Sequence, residues 1–170
     1  MKPYLDEPSK DYRSSFQNYA NSYRDTSEDA VYFSMYGRAL DDFDDFLTDL
    51  RNAANNINIP EDWVAASTFW LIDHDQVVGV VRIRHQEVES AGHIGYDIAP
   101  QHRKKGYGSL ILKLALAEAQ KLGLQKVIIT CRTDNEPSKR IIEKNGGRLL
   151  GTLYDEEEHA DLFRYVIMNH

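Results

Sequence analysis

The segment Arg103-Lys104-Lys105-Gly106-Tyr107-Gly108 limits what this chain can fold into more than any other stretch. It follows an apolar run, Gly92-His93-Ile94-Gly95-Tyr96-Asp97-Ile98, closed by Ala99-Pro100. It precedes a helical run from Ser109 to Leu122 that Gly123 punctuates. Strand, basic glycine loop and helix in that order make an anion-binding device. The first amides of the helix have no intrahelical acceptor, and the helix dipole adds positive potential at the same end. Gly106 and Gly108 carry no Cβ, so an anion can approach the backbone. Arg103, Lys104 and Lys105 offer charge-assisted contacts. Single residues exclude two common phosphate loops. A nucleoside-triphosphate loop needs a lysine between Gly108 and Ser109, and a dinucleotide loop needs glycine where Ile111 stands.

The surrounding pattern supplies a layered domain. A polar stretch with spaced aromatics, Lys10 to Tyr23, predicts a first helix, and the Asp25–Asp29 cluster a loop. Leu40, Phe43, Phe46, Leu47 and Leu50 repeat at three and four residues, an amphipathic helix ending near Asn55-Asn56. After Pro60 the character turns to strands. Thr68–Ile72 and Val77–Ile83 flank Asp73-His74-Asp75-Gln76, a hairpin connection. Lys126–Cys131 is a short strand rich in β-branched residues. Asn135 caps a helix over Glu136–Lys144 with Pro137 in its first turn. Arg148–Tyr154 and Leu162–Met168 pair across the acidic turn Asp155–Glu158. The fold class is α/β in the layered α+β sense, a mixed, mostly antiparallel sheet flanked by helices. Without a repeat or linker, residues 1–170 read as a single domain.

Charge and composition remove several function classes. A net charge of −7 argues against nucleic acid as a partner. No run approaches the roughly 18 apolar residues that span a bilayer, and the N-terminus has no apolar leader core, so neither membrane nor secretion is expected. The single cysteine, Cys131, suits a cytoplasmic protein and reads as a small core residue. The six histidines lack paired ligand spacing, so no metal site is expected. Residues 1–75 carry a net −9 and residues 76–170 a net +2. That asymmetry admits an anionic cofactor on one side and a cationic acceptor on the other. Tyr32, Phe33, Tyr36, Asp41, Asp42 and Asp45 could line the acceptor side, but a helix with buried aromatics and exposed carboxylates is the stronger reading of them.

Arg103-x-x-Gly106-x-Gly108, preceded by Tyr96-Asp97-Ile98-Ala99-Pro100, resembles the cofactor motif of the GCN5-related N-acetyltransferase (GNAT) superfamily. Asn135-x-x-Ser138 and Glu143-Lys144-Asn145-Gly146-Gly147 resemble its next helix and turn. Arg84-His85, Gly92–Tyr96, Pro60–Val64 and Phe69-Trp70-Leu71 are similar to a bacterial branch of predicted acetyltransferases of unknown substrate. The resemblance implies an acyltransferase with acetyl-CoA as co-substrate, and a sheet splayed between the strand ending at Ile98 and the strand Lys126–Cys131. It implies that Ile98 and Ala99 pair with the pantetheine arm through their backbone. Arg103, Lys104, Lys105, Gly106, Tyr107, Gly108 and Ser109 would hold the pyrophosphate, and Asn135 and Ser138 the pantetheine or thioester end. Asn135 is equally explained as a helix cap.

Transfer to an amine needs a base, an oxyanion donor and a proton for the departing thiolate. The resemblance implies direct attack in a ternary complex, with a backbone amide near Ile98 as the oxyanion donor. His93 and Tyr96 are the candidate catalytic side chains, His93 because its pKa suits base work, although a histidine bonded across strands is an equal reading. Strand alternation puts His93, Gly95 and Asp97 on one face, Ile94, Tyr96 and Ile98 on the other. Many relatives carry a tyrosine acid seven residues after the capping asparagine, where this chain has Ile142. Ser138, Tyr154 or water is left for that role. The acceptor is a small-molecule or peptide amine of unidentified structure, the protein a monomer or homodimer. A non-catalytic acyl-CoA sensor and an enzyme for longer acyl chains are the alternatives.

Overall fold

The computed structural model describes residues 1–169. After a short strand β1 (Tyr4–Asp6) and a 3-10 turn come four helices: α1 (Arg13–Asn21), α2 (Asp29–Tyr36), α3 (Arg38–Asp41) and α4 (Phe43–Ala54). Strands β2 (Ala66–Asp73), β3 (Gln76–Val88) and β4 (Gly92–Ile98) follow, then α5 (Tyr107–Lys121), β5 (Lys126–Arg132), α6 (Glu136–Lys144), β6 (Arg148–Asp155) and β7 (Ala160–Met168). The ladders are antiparallel and fall into two sheets, ordered β1-β2-β3-β4 and β5-β7-β6.

The first sheet is covered on both faces because its strands alternate between two cores. Leu71, Val81, Ile83, Ile94 and Ile98 pack with Ile111, Leu112 and Ala115 of α5 and with Ile142 of α6. Trp70, Ile72 and Val80 face the other way, onto Phe16 and Tyr19 of α1, Tyr36 of α2 and Phe43 and Phe46 of α4. Trp70 stacks on Phe16 with ring centroids 4.2 Å apart, an arrangement that adds to simple area burial.

The two sheets meet at β4 and β5 without a backbone ladder. One end of that seam is closed. The Ile128 N–H donates to His93 Nδ1 at 2.9 Å, and the Thr130 hydroxyl donates to the Ser90 carbonyl at 2.9 Å. Gly92, at φ +62°, completes the closure: a Cβ there would sit 2.5 Å from the Ile128 carbonyl oxygen, so no side chain fits. Toward Ile98 the seam is instead bridged through α6, where Ser138 meets Tyr96.

β4 and α6 have the bounds expected from sequence, β2, α5, β5, β6 and β7 lie within two residues of theirs, and β3 runs five residues past the expected Ile83, to Val88. The N-terminal region differs more. Two helices were expected and four form, together with the edge strand β1. In α2, Tyr32 and Tyr36 turn inward while Val31 and Phe33 are 60% and 59% exposed, so no one-sided apolar stripe marks it.

Candidate active site

The loop between β4 and α5 is built on left-handed backbone. Lys104 has φ +63° and Gly106 φ +85°. A Cβ at Gly106 would meet nothing within 4 Å, so glycine is there for its conformation. Gly108 differs: a Cβ on it would lie 2.6 Å from Ile141 Cδ1. Its bare side admits the α6 side chain, which seats α6 against the first turn of α5. Asn145 reinforces this seat, donating to the Ser109 carbonyl at 3.3 Å and to its hydroxyl at 3.4 Å. No side chain caps α5 at Gly106, which leaves its first-turn amides and dipole open to an anion. Tyr107 turns its hydroxyl away, to Asp73 in the β2–β3 hairpin.

A cavity of about 560 Å³ opens beside this helix end, its walls drawn from the loop, β4, α2 and α6. Arg103, Lys104, Arg140 and Lys144 line it and make its mouth cationic, with His102 beside them. Arg103 is already engaged. Its Nε donates to the Ile98 carbonyl at 3.0 Å, and Nη1 and Nη2 reach the two Glu28 oxygens at 2.8 and 2.9 Å. The Glu28 pair raises the Arg103 pKa above its ordinary value. Lys105 is exposed in the same loop, where its charge, after burial, helps lower the His102 pKa. The backbone groups of Ile98 and Ala99 are also engaged: the Ile98 carbonyl by Arg103, the Ala99 N–H by the Val78 carbonyl at 3.3 Å.

Deeper in, Tyr96 and Ser138 face each other with hydroxyl oxygens 2.9 Å apart, and both line the cavity. Burial raises the Tyr96 pKa above the usual tyrosine value, with the Ser138 bond opposing it. Asn135 also lines the cavity and caps α6, its Oδ1 accepting the Ser138 N–H at 3.2 Å. Ile142 is fully buried in the core, and Tyr154 is 56% exposed on β6, away from the cavity walls. Of the three hydroxyl sources left open by the sequence, Ser138 alone among the side chains reaches the site. Burial pushes the Cys131 thiol up to about 11, so it is protonated at neutral pH, in keeping with a core residue.

The two faces of β4 separate as the alternation requires. Asp97 points away from Tyr96 toward α1 and α2, where its carboxylate accepts from Tyr19 at 2.5 Å, Tyr36 at 2.7 Å, Tyr23 at 3.1 Å and Arg82 Nη1 at 3.2 Å. Burial and the Asp97 charge push the Tyr19 and Tyr36 hydroxyls well above the ordinary range, so all three tyrosines remain donors. His93 spends the lone pair of Nδ1 on Ile128, which places its proton on Nε2, and burial lowers its pKa. His93 is therefore not joined to the Tyr96–Ser138 pair. Two of the acidic acceptor candidates are spent on helix surfaces, Asp42 as the cap of α4 and Asp45 in a pair with Arg38, and the neighbouring Asp44 pairs with Arg13. Tyr32 alone of the six acceptor candidates lines the cavity, stacked on Tyr23 at 3.8 Å. Glu28, Arg140 and Lys144 were not singled out from sequence; the i, i+4 spacing of the last two from the capped start of α6 is the signal that could have found them.

An uncapped helix end and a cationic mouth thus open on the same cavity as a paired hydroxyl between the two sheets. Residues 13–148 match the acetyltransferase (GNAT) domain family, and the chain belongs to that family. A ribosomal-protein-serine acetyltransferase of Escherichia coli K12 is 30% identical over 100 residues, 58% of this chain and 56% of that protein; the match thus spans about half of that relative. Among solved structures, the microcin C7 self-immunity acetyltransferase bound to acetyl-CoA and AMP superposes with a TM-score of 0.72 at 17% identity, over 98% of this chain and 92% of its own. RimJ of Mycobacterium smegmatis with a CoA disulfide gives 0.72 at 15% identity, over 96% and 80%. These likenesses extend the fold across the whole described chain.

The residues present fit a CoA thioester. The free α5 amides and surrounding cations suit a pyrophosphate, and the gap between β4 and α6 is lined by Tyr96, Ile98, Pro137 and Ile141, apolar enough for a pantetheine arm.

Proposed function

We propose that this protein transfers the acetyl group of acetyl-CoA to a primary amine of a peptide or small molecule by direct attack in a ternary complex. The observation that carries this reading is the Tyr96–Ser138 pair, placed in the same cavity as the uncapped end of α5. Bound there, acetyl-CoA supplies an acyl carbon activated by a thiolate leaving group. The chain's own part begins with the α5 amides, Lys104, Lys105, Arg140 and Lys144, which hold the anionic end. Arg103 contributes to the same positive potential while anchored to Glu28. Tyr96 keeps its proton because burial raises its pKa, and passes it through Ser138 Oγ to the departing sulfur. The acid role that Ile142 cannot fill is thereby met by a hydroxyl pair.

His93 acts as a positioning residue. It closes the seam between β4 and β5 through Ile128 and so fixes where Gly95 and Tyr96 stand. The amine arrives as an ammonium, the cationic feature of the acceptor, and gives its proton to solvent water before it attacks. The protein works in the cytoplasm as an enzyme. Thiol release from acetyl-CoA, followed across a panel of amines, tests the reading. Release that depends on both amine and protein supports it, and its absence with every amine opposes it.

A further inference from the structure

We propose that Arg84 forms a subsite for an oxyanion, a carboxylate or a phosphate, carried by the acceptor a few bonds from its amine. The inference rests on the acyl-transfer reading and adds the acceptor's chemical class.

On the α1/α2 face of the first sheet, Arg82 stands opposite Gly95 in the β3–β4 register. A Cβ added at Gly95 would lie 3.6 Å from Arg82 Nη2, 3.6 Å from Arg84 Nη2 and 3.7 Å from Arg84 Nη1. Two guanidinium groups thus share one patch, next along the strand to Tyr96. Their charges are handled differently. Arg82 donates to Asp97 at 3.2 Å and to the Tyr36 hydroxyl at 3.0 Å. Arg84 has a single hydrogen bond, from Nη1 to the Ala91 carbonyl at 3.2 Å. Among the described residues no carboxylate lies within 4.0 Å of it. Glu87 on the same hairpin is taken by Arg164, which reaches both its oxygens at 3.0 Å.

Arg84 is therefore a half-buried cation beside a like charge, with most of its five N–H donors unspent. Burial and Arg82 both lower its pKa. An arrangement of this kind is unfavourable alone and becomes favourable when a planar, bidentate anion docks on the fork. The patch is open to receive one. Ala66 and Thr68, which pair with Arg84 and Arg82 across β2, are partly exposed, as is Gly95. Gly95 and Tyr96 are consecutive but face opposite sides of β4. β4 is the last strand of its sheet, and the cavity wraps that edge from Tyr32 and Asp97 to Tyr96, so an acceptor whose anion rests over Gly95 reaches the Tyr96 side around the edge. The acceptor positive at its amine is negative nearby.

Two matched pairs distinguish the sources of the anion: the peptide amides Ser-Glu-Ala and Ser-Gln-Ala, and O-phosphoethanolamine with ethanolamine. Calorimetric binding of their N-acetylated forms to the CoA-saturated protein gives a readout independent of turnover. In at least one pair the wild-type protein is expected to bind the anionic member about tenfold or more tightly, as charge-assisted bonds do. Arg84→Gln should abolish that preference while leaving CoA affinity unchanged, and Arg84→Lys should retain part of it. The pair that shows the preference identifies the anion. Equal binding of both members of both pairs, no binding of any, or a preference that survives Arg84→Gln would overturn the proposal. Absence of thiol release with a preserved preference would count against acyl transfer alone and leave the subsite standing.

Discussion

Tyr96 and Ser138 share a hydrogen bond of 2.9 Å that joins β4 to α6 across the mouth of the seam between the two sheets. The bond connects a strand residue to the first turn of a helix held in register by the Asn135 cap and by Asn145 on Ser109. The two hydroxyls are thereby positioned by secondary structure on both sides.

Removing either hydroxyl should slow chemistry more than binding. Tyr96→Phe and Ser138→Ala are each expected to lower kcat by about a hundredfold, the low end of general-acid effects, because a thiol of pKa near 8.5 departs tolerably unaided. KM for acetyl-CoA should change little. The double variant should be scarcely worse than either single one, since the two act as a unit. Steady-state thiol release measures all three. Because burial raises the Tyr96 pKa, wild-type activity should not fall between pH 8 and about 10, the ordinary tyrosine value.

The Asp97 cluster should bear on stability. Its carboxylate accepts from three tyrosines and Arg82, and Asp97→Ala leaves Arg82 with no carboxylate partner. A loss of about 3–5 kcal/mol is expected, read from urea denaturation midpoints. Arg13→Ala, which removes an exposed pair with Asp44, should change the midpoint by less than about 1 kcal/mol.

His93 links seam closure to pH. Burial lowers its folded pKa below the ordinary 6.5, with Glu87 partly opposing the shift. A group whose folded pKa is depressed contributes stability that is present above the unfolded pKa and lost as pH falls through the folded one. The denaturation midpoint should therefore decline on acidification below about pH 6.5. Protonated Nδ1 cannot accept from Ile128, so that bond is lost too. In His93→Gln, whose side-chain oxygen can take the Ile128 N–H and does not titrate, the decline should be shallower.

Cys131 gives a complementary check at high pH. Its folded pKa of about 11 lies above the unfolded value, so the stability it contributes is present below the unfolded pKa and is lost as pH rises through about 11. In the native protein at neutral pH it should resist a thiol reagent, and it should react fully once the chain is unfolded.

Much of the C-terminal two thirds was legible because local chemistry decides it. Asn135 and Pro137 start α6, Gly123 at φ +86° ends α5, and the Gly92–Ile98 run has the bounds of β4. The glycine loop was legible in kind, though Gly108 proves to serve α6 packing through Ile141. What lay beyond the sequence depends on distant pairings. Tyr19 meets Asp97 across 78 positions, and Glu28 meets Arg103 across 75. Neither spacing has a local period, and α2 turns Tyr32 and Tyr36 inward while exposing Val31 and Phe33 on the other side. Tyr96 and Ser138, 42 positions apart, were each marked as site residues, but their bond became visible only when β4 and α6 were set side by side.

The central claim is that the uncapped start of α5 holds the anionic end of acetyl-CoA, and Gly106 tests it most directly. Its Cβ position is open space and its φ is +85°, so Gly106→Glu costs roughly 1–2 kcal/mol of backbone strain while placing a carboxylate at the anion site. Calorimetric titration of CoA into the wild-type protein should give one site with Kd between roughly 1 μM and 1 mM. In the folded Gly106→Glu variant the affinity should fall by about tenfold or more. Equal affinity in the two proteins, or no binding to the wild type, would contradict it.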